Sequence, residues 1–140
     1  MLTCCKLLLA ADAQGPPPLK LNLKQNFVRT TIDAASLRAG RTLLVIPVVK
    51  VRNPKLAPVT ISVTALAGRQ LRERIPAGAF SLFPADQTGT FHLRMPAEAV
   101  GAARGLKRLT LEIRLASAPD DLEVEAGPLR LIAEPVEPRD

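Results

Sequence analysis

Leu109, Leu111, Ile113 and Leu115 alternate without a break with Arg108, Thr110, Glu112 and Arg114. A two-residue period places the four apolar side chains on one face of a strand and the polar ones on the other. The same period returns at Leu19, Leu21 and Leu23, at Val59, Ile61, Val63 and Ala65, and at Phe91, Leu93 and Met95, interleaved with Lys, Asn, Thr, Ser, His or Arg. The repetition predicts an all-β protein, an antiparallel Greek-key β-sandwich of seven or eight strands with one short helix.

Turn residues divide the pattern into elements. Leu19 to Lys24 and Phe27 to Ile32 read as the first two strands, and Asp33 to Gly40 as one helical turn or a loop. Arg41 to Arg52 is the longest apolar run, with Leu43, Val45, Val49 and Val51 on one face and Leu44, Ile46, Val48, Lys50 and Arg52 on the other. Pro47 interrupts its ladder and calls for an edge position or a bulge. Asn53-Pro54 marks a turn before Val59 to Ala67, and Gln70 to Ile75 is a charged edge strand. Pro76-Ala77-Gly78 reads as a turn into Ala79 to Phe83, and Pro84 to Gly89 as a turn into Thr90 to Met95. Pro96 to Arg104 is the helix, with Gly105 at its end. Lys107 to Ser117 and Leu122 to Ala126 read as a hairpin around Ala118 to Asp121, in the register that sets Arg114 opposite Glu125. Gly127-Pro128 breaks the strand, which continues over Leu129 to Ile132 after a bulge. The architecture is immunoglobulin- or fibronectin-like, without the Cys-Trp-Cys or tyrosine-corner marks of a true immunoglobulin domain.

Length fits one domain, placed at 19–133, with a Pro-rich spacer and possible truncated signal segment at 1–18 and a polar tail at 134–140. Charge is lopsided: residues 1–114 carry 17 Lys and Arg against 6 acids, and the remainder 2 against 7. Such a basic body either neutralises itself against its acidic end or meets an anionic partner. The chain has no Trp and no Tyr, and its four Phe residues fall in strand patterns, so no stacking platform for nucleic acid is expected.

The N-terminus leaves two readings open. Leu7 to Ala11 is apolar and Ala11-Asp12-Ala13 has the small-x-small form of a signal-peptidase site, yet the apolar stretch is shorter than a normal signal and far shorter than a membrane span. The segment is either a frayed terminus without an address, in a cytoplasmic protein, or the end of a longer export signal with a misplaced start. Adjacent Cys4 and Cys5 are poorly placed to bridge each other, and cleavage after Ala13 would remove both.

From Pro76 to Ile132 the order is Gly-x-Phe-Ser-Leu-Phe, a loop, Gly-x-Phe-His-Leu-Arg-Met-Pro, a short Ala-rich helix, a long alternating strand and Gly-Pro-Leu-Arg-Leu-Ile. This half of the chain resembles the C-terminal β-sandwich of tyrosinases and polyphenol oxidases, which follows their dicopper domain and packs over it. The resemblance implies a detached accessory domain or a fragment. It carries over no catalytic residue, because the copper domain of that family needs six histidines and His92 is the single one here.

Candidate chemistry is sparse. His92 reads as a surface histidine, since a metal site takes three or four ligands. Asp120, Asp121, Glu123 and Glu125 lack the spacing of a calcium loop and read as a turn and a solvated strand face. No metal site, cofactor or catalytic set is expected. Arg72, Arg74, Arg94 and Arg108, together with Arg69 and Lys107, are the candidate binding residues: they read either as scattered solubilising charge or as side chains projecting from strands toward a shared basic face able to hold a carboxylate, a sulfated or phosphorylated glycan or an acidic protein. The expected function is a non-enzymatic binding or accessory module of an envelope or secreted protein, contacting a protein or anionic partner. The alternatives are a detached domain shielding a tyrosinase-type copper oxidase, and a small enzyme joining the arginines to Glu73 in a pocket.

Overall fold

The alternating run forms β7 (Arg108–Leu115), an interior strand whose Leu109, Leu111, Ile113 and Leu115 are all buried. The computed structural model of the chain describes residues 18–34, 37, 41–116 and 121–134. Before β7 come β1 (Leu19–Asn22), β2 (Phe27–Asp33), β3 (Thr42–Arg52), β4 (Thr60–Ala67), β5 (Glu73–Ser81), β6 (Gly89–Arg94) and the helix α1 (Ala97–Ala103). After it come β8 (Glu123–Ala126) and β9 (Arg130–Ala133).

Two antiparallel sheets face each other across one apolar core. The first runs β1-β8-β3-β6 with β9 also on β3, and the second runs β2-β7-β4-β5. Inward-facing Leu44, Ile46, Val48 and Val124 from one sheet and Ile61, Val63, Leu111 and Ile113 from the other join a single buried cluster. Burial of side chains at this period is the main stabilising term and explains why the period was visible in the sequence. At one side the sheets close where Phe80 on β5 stacks on Phe91 of β6, ring centroids 4.4 Å apart.

Pro47 lies in an interior strand, not at an edge. β3 pairs with β6 over Leu43–Val48, and on its other side with β9 over Thr42–Val45 and then with β8 over Val48–Arg52. Gly127, between β8 and β9, donates its N–H to the Pro47 carbonyl at 2.7 Å. The donor that proline lacks therefore falls at the break in the neighbouring strand, so β8 and β9 cover β3 as one interrupted strand. A bulge between Val48 and Lys50 shifts the phase, so that Val51 pairs with buried Val124 while Lys50 and Arg52 face outward with Glu125 and Glu123. The expected grouping of Val49 with Val51 fails for this reason.

Three further expectations change. β7 and β8 are not a hairpin: β7 pairs with β2 and β4, β8 belongs to the other sheet, and Arg114 stands opposite Phe27 and Ser62 instead of Glu125. Pro76-Ala77-Gly78 is a bulge within β5, opposite Val63 and Thr64, and makes one edge strand of two expected pieces. β1 stops at Asn22, whose Oδ1 accepts from the Gln25 N–H at 2.8 Å, and Leu23 turns outward. The helix forms as expected, burying Ala99 and Ala103 one turn apart and ending before Gly105 at φ +83°. The N-terminal segment with Cys4 and Cys5, the core of the Asp33 to Gly40 segment, the loop at 117–120 and the tail beyond Glu134 lie outside the described residues. Among the described residues no helix is long and apolar enough to cross a membrane.

Candidate functional site

The structure divides the candidate arginines between surfaces. Arg74 and Arg108 occupy the outer face of the second sheet, opposite Leu66 and Asp33 respectively. Arg94 is on the outer face of the first sheet, on the other side of the sandwich, and is bonded to Glu134. Arg72 is not in a strand at all: it ends the 3-10 turn at Arg69–Leu71 that precedes β5. In place of one shared face, the second sheet assembles its own set by bringing in Arg29 and Arg114.

That set converges on one carboxylate. Glu112 sits in the polar phase of β7, yet its side chain is 1% exposed. Arg74 donates to its Oε2, Arg114 donates to Oε1 at 3.3 Å, and the Arg29 Nε lies 3.7 Å from Oε1. Register explains the meeting. Arg29 is directly across from Glu112 on β2, Arg114 is two residues along β7, and Arg74 on β5 faces Leu66, two residues along β4 from the Thr64 that faces Glu112. Burial pushes the Glu112 carboxyl up, and the hydrogen bond and charge of Arg74, with Arg114 beside it, more than reverse this and hold it below its ordinary value. The Arg114 guanidinium also lies 4.7 Å from the centre of the Phe27 ring. Alternation placed Glu112 on a solvated face. Its burial follows from three long side chains folding over it, which no period in the sequence encodes.

A second feature lies where β3 and β5 end. Phe83 is 93% exposed and Leu56 59%, and with Pro58, Val59, Leu82 and Pro84 they line an apolar groove of about 450 Å³. Buried Asn53 fixes both loops: its Nδ2 donates to the carbonyls of Ala57 at 2.8 Å and Ala85 at 3.1 Å, and its Oδ1 accepts from the Ala57 N–H at 3.3 Å. The sequence marked Asn53 as a turn residue and gave no sign of its contact with residue 85.

The remaining candidates stand apart. His92 is exposed on the outer face of the first sheet, opposite Val45, and no group of three or more His, Cys, Asp or Glu side chains suited to a metal occurs among the described residues. Glu73 faces the opposite way from Arg74 on β5 and packs beside Gly68. A 370 Å³ cleft between β2 and β9 includes Arg108 with Arg130, Thr31 and Asp33.

The fold defines a class, the two-sheet antiparallel β-sandwich, and solved structures give it relatives in shape. Recombinantly expressed latent aurone synthase, a polyphenol oxidase, matches 90% of this chain with a TM-score of 0.60 at 16% identity. The same enzyme from its natural source matches 90% with a TM-score of 0.59, again at 16% identity. Both likenesses cover 27% of the oxidase chain, so this chain spans about a quarter of the length of the proteins it matches. The likeness read from residues 76–132 is thus present in the fold and reaches well beyond that half. No protein-family model and no curated protein sequence matches the chain.

Proposed function

We propose that the chain is a non-catalytic accessory domain that packs against a tyrosinase-type copper-oxidase body through the apolar groove and the projecting Phe83. The observation that carries this reading is the fold likeness to about a quarter of a polyphenol oxidase described as latent. The other three quarters of such a protein is the natural counterpart of an exposed apolar surface. A ring that is 93% exposed beside Leu56, Pro58 and Pro84 is costly to leave in water and gains free energy when covered. Asn53 holds the two loops in a fixed relation, so little conformational entropy is lost on docking. The domain would shield or restrain the oxidase and leave the oxidation to its partner.

The test adds the purified chain to a tyrosinase-type copper domain lacking its own sandwich and follows oxygen uptake with a diphenol. Saturable inhibition that Phe83→Ser abolishes is the expected result. Unchanged oxygen uptake at every concentration, with no complex in sedimentation, would overturn the reading.

A further inference from the structure

We propose that the outer face of the second sheet recognises a carboxylate-rich segment of a protein partner, with Arg29, Arg74 and Arg114 as contact residues and Glu112 as the positioning residue that aims them. Three guanidiniums share one carboxylate, which leaves the cluster with an excess of positive charge. Each guanidinium has five N–H donors in a fixed fork, and each contact with Glu112 engages one nitrogen. Their side chains remain 47%, 47% and 40% exposed, so unused donors face solvent. Stability alone would not call for this arrangement, since a buried ion pair often contributes little more than an apolar residue of similar size.

The shape of the face selects among anions. β2, β7, β4 and β5 lie side by side, so the backbones that carry the arginines span about 14 Å, three strand spacings, while the three guanidiniums meet over Glu112 on a sheet surface carrying Thr31, Ser62, Thr64 and Thr110. Grouped forks with donors to spare fit carboxylates, each of which accepts two parallel N–H bonds. Phe27 is the aromatic residue of the set, and Arg114 already covers its ring, which leaves no stacking platform for bases. Arginine beside a half-exposed phenylalanine is the composition of a protein interface. This surface is distinct from the Phe83 groove, and its test involves no oxidase.

The experiment titrates the 15N-labelled full chain with an oligoglutamate peptide at low ionic strength, following backbone amides and arginine Nε signals. Shifts confined to Arg29, Arg74, Arg114 and their strands are expected, fading as salt screens partly exposed charges. Thr31→Glu, which adds a carboxylate beside Arg29 and leaves the Glu112 contacts intact, should weaken binding about tenfold without moving the melting temperature. Glu112→Gln separates positioning from net charge. It makes the face more positive, so a purely coulombic surface would bind oligoglutamate more tightly, whereas an aimed cluster binds it less. The proposal is overturned by tighter binding of Glu112→Gln, by no shifts, by shifts spread over the outer faces of both sheets, or by a heparin oligosaccharide displacing the peptide at the same signals.

Discussion

Arg74, on the edge strand β5, reaches over β4 to donate a hydrogen bond to Oε2 of Glu112 on β7. The contact ties an edge strand to an interior one on the face opposite the core. β5 carries a bulge at Pro76 to Gly78 that interrupts its ladder to β4, and the side-chain tie from Arg74 adds a second hold on the short paired stretch before that bulge. The same pair carries the consequences for stability and for pH.

Glu112→Ala removes the shared partner of three cations and should lower stability by about 2–3 kcal/mol, below the usual cost of breaking a fully buried pair because the arginines keep part of their hydration. Glu112→Leu should cost clearly less, since it refills the space without an unpaired charge. Urea unfolding of both variants measures the difference. Equal losses would show that side-chain volume matters little at this site and that the loss comes from the removed carboxylate.

Acid should weaken the fold through the same group. The folded carboxyl titrates below its unfolded value, so the unfolded chain binds the proton first as pH falls. The stabilising contribution is complete above about pH 4.5, the unfolded value, and is lost as pH drops through the lower folded one. Melting temperatures between neutral pH and pH 3 should fall less steeply for Glu112→Gln than for the parent chain. Parallel acid limbs would place the acid sensitivity elsewhere.

Alternation revealed β4, β6 and β7 because each buries one face against a single core, and burial at period two leaves its mark residue by residue. What alternation does not encode is which strands pair. Arg114 opposite Glu125 was the best register for a hairpin, but the segment after β7 crosses to the other sheet, where Glu125 lies 3.9 Å from Lys20 instead. Pro47 signalled the bulge in β3, found just beyond it at Val49, whereas the one in β5 escaped, since it is an extra residue required by a neighbour distant in sequence. The basic character of the surface was legible, and Arg74 was among the residues singled out. Arg29 and Glu112 joined it only through the β2-β7-β4-β5 order.

The Gly127–Pro47 junction should be intolerant of added volume. A Cβ on Gly127 would come 3.1 Å from the Pro47 Cγ, at the point where the Gly127 N–H meets the Pro47 carbonyl. Both residues are ring- or strand-constrained and have little room to move aside. Gly127→Val should cost about 1–3 kcal/mol by overpacking, read as a lower denaturation midpoint at unchanged slope. A neutral result would mean that the β8–β9 break can widen freely.

Asn53 and Phe83 should separate stability from docking at the apolar end. Asn53 is 5% exposed and answers backbone groups of two loops, so Asn53→Ala leaves part-buried backbone groups without their partner and should cost about 1–3 kcal/mol. Phe83 makes almost no use of the fold, and Phe83→Ser should change stability by less than about 0.5 kcal/mol. Thermal melts of the two variants, set beside their inhibition of the copper domain, give the decisive pattern. Phe83→Ser should melt like the parent chain and fail to inhibit, whereas Asn53→Ala should melt earlier and inhibit less in proportion to the disorder of the loops. Full inhibition by Phe83→Ser would move the contact surface away from this end of the sandwich.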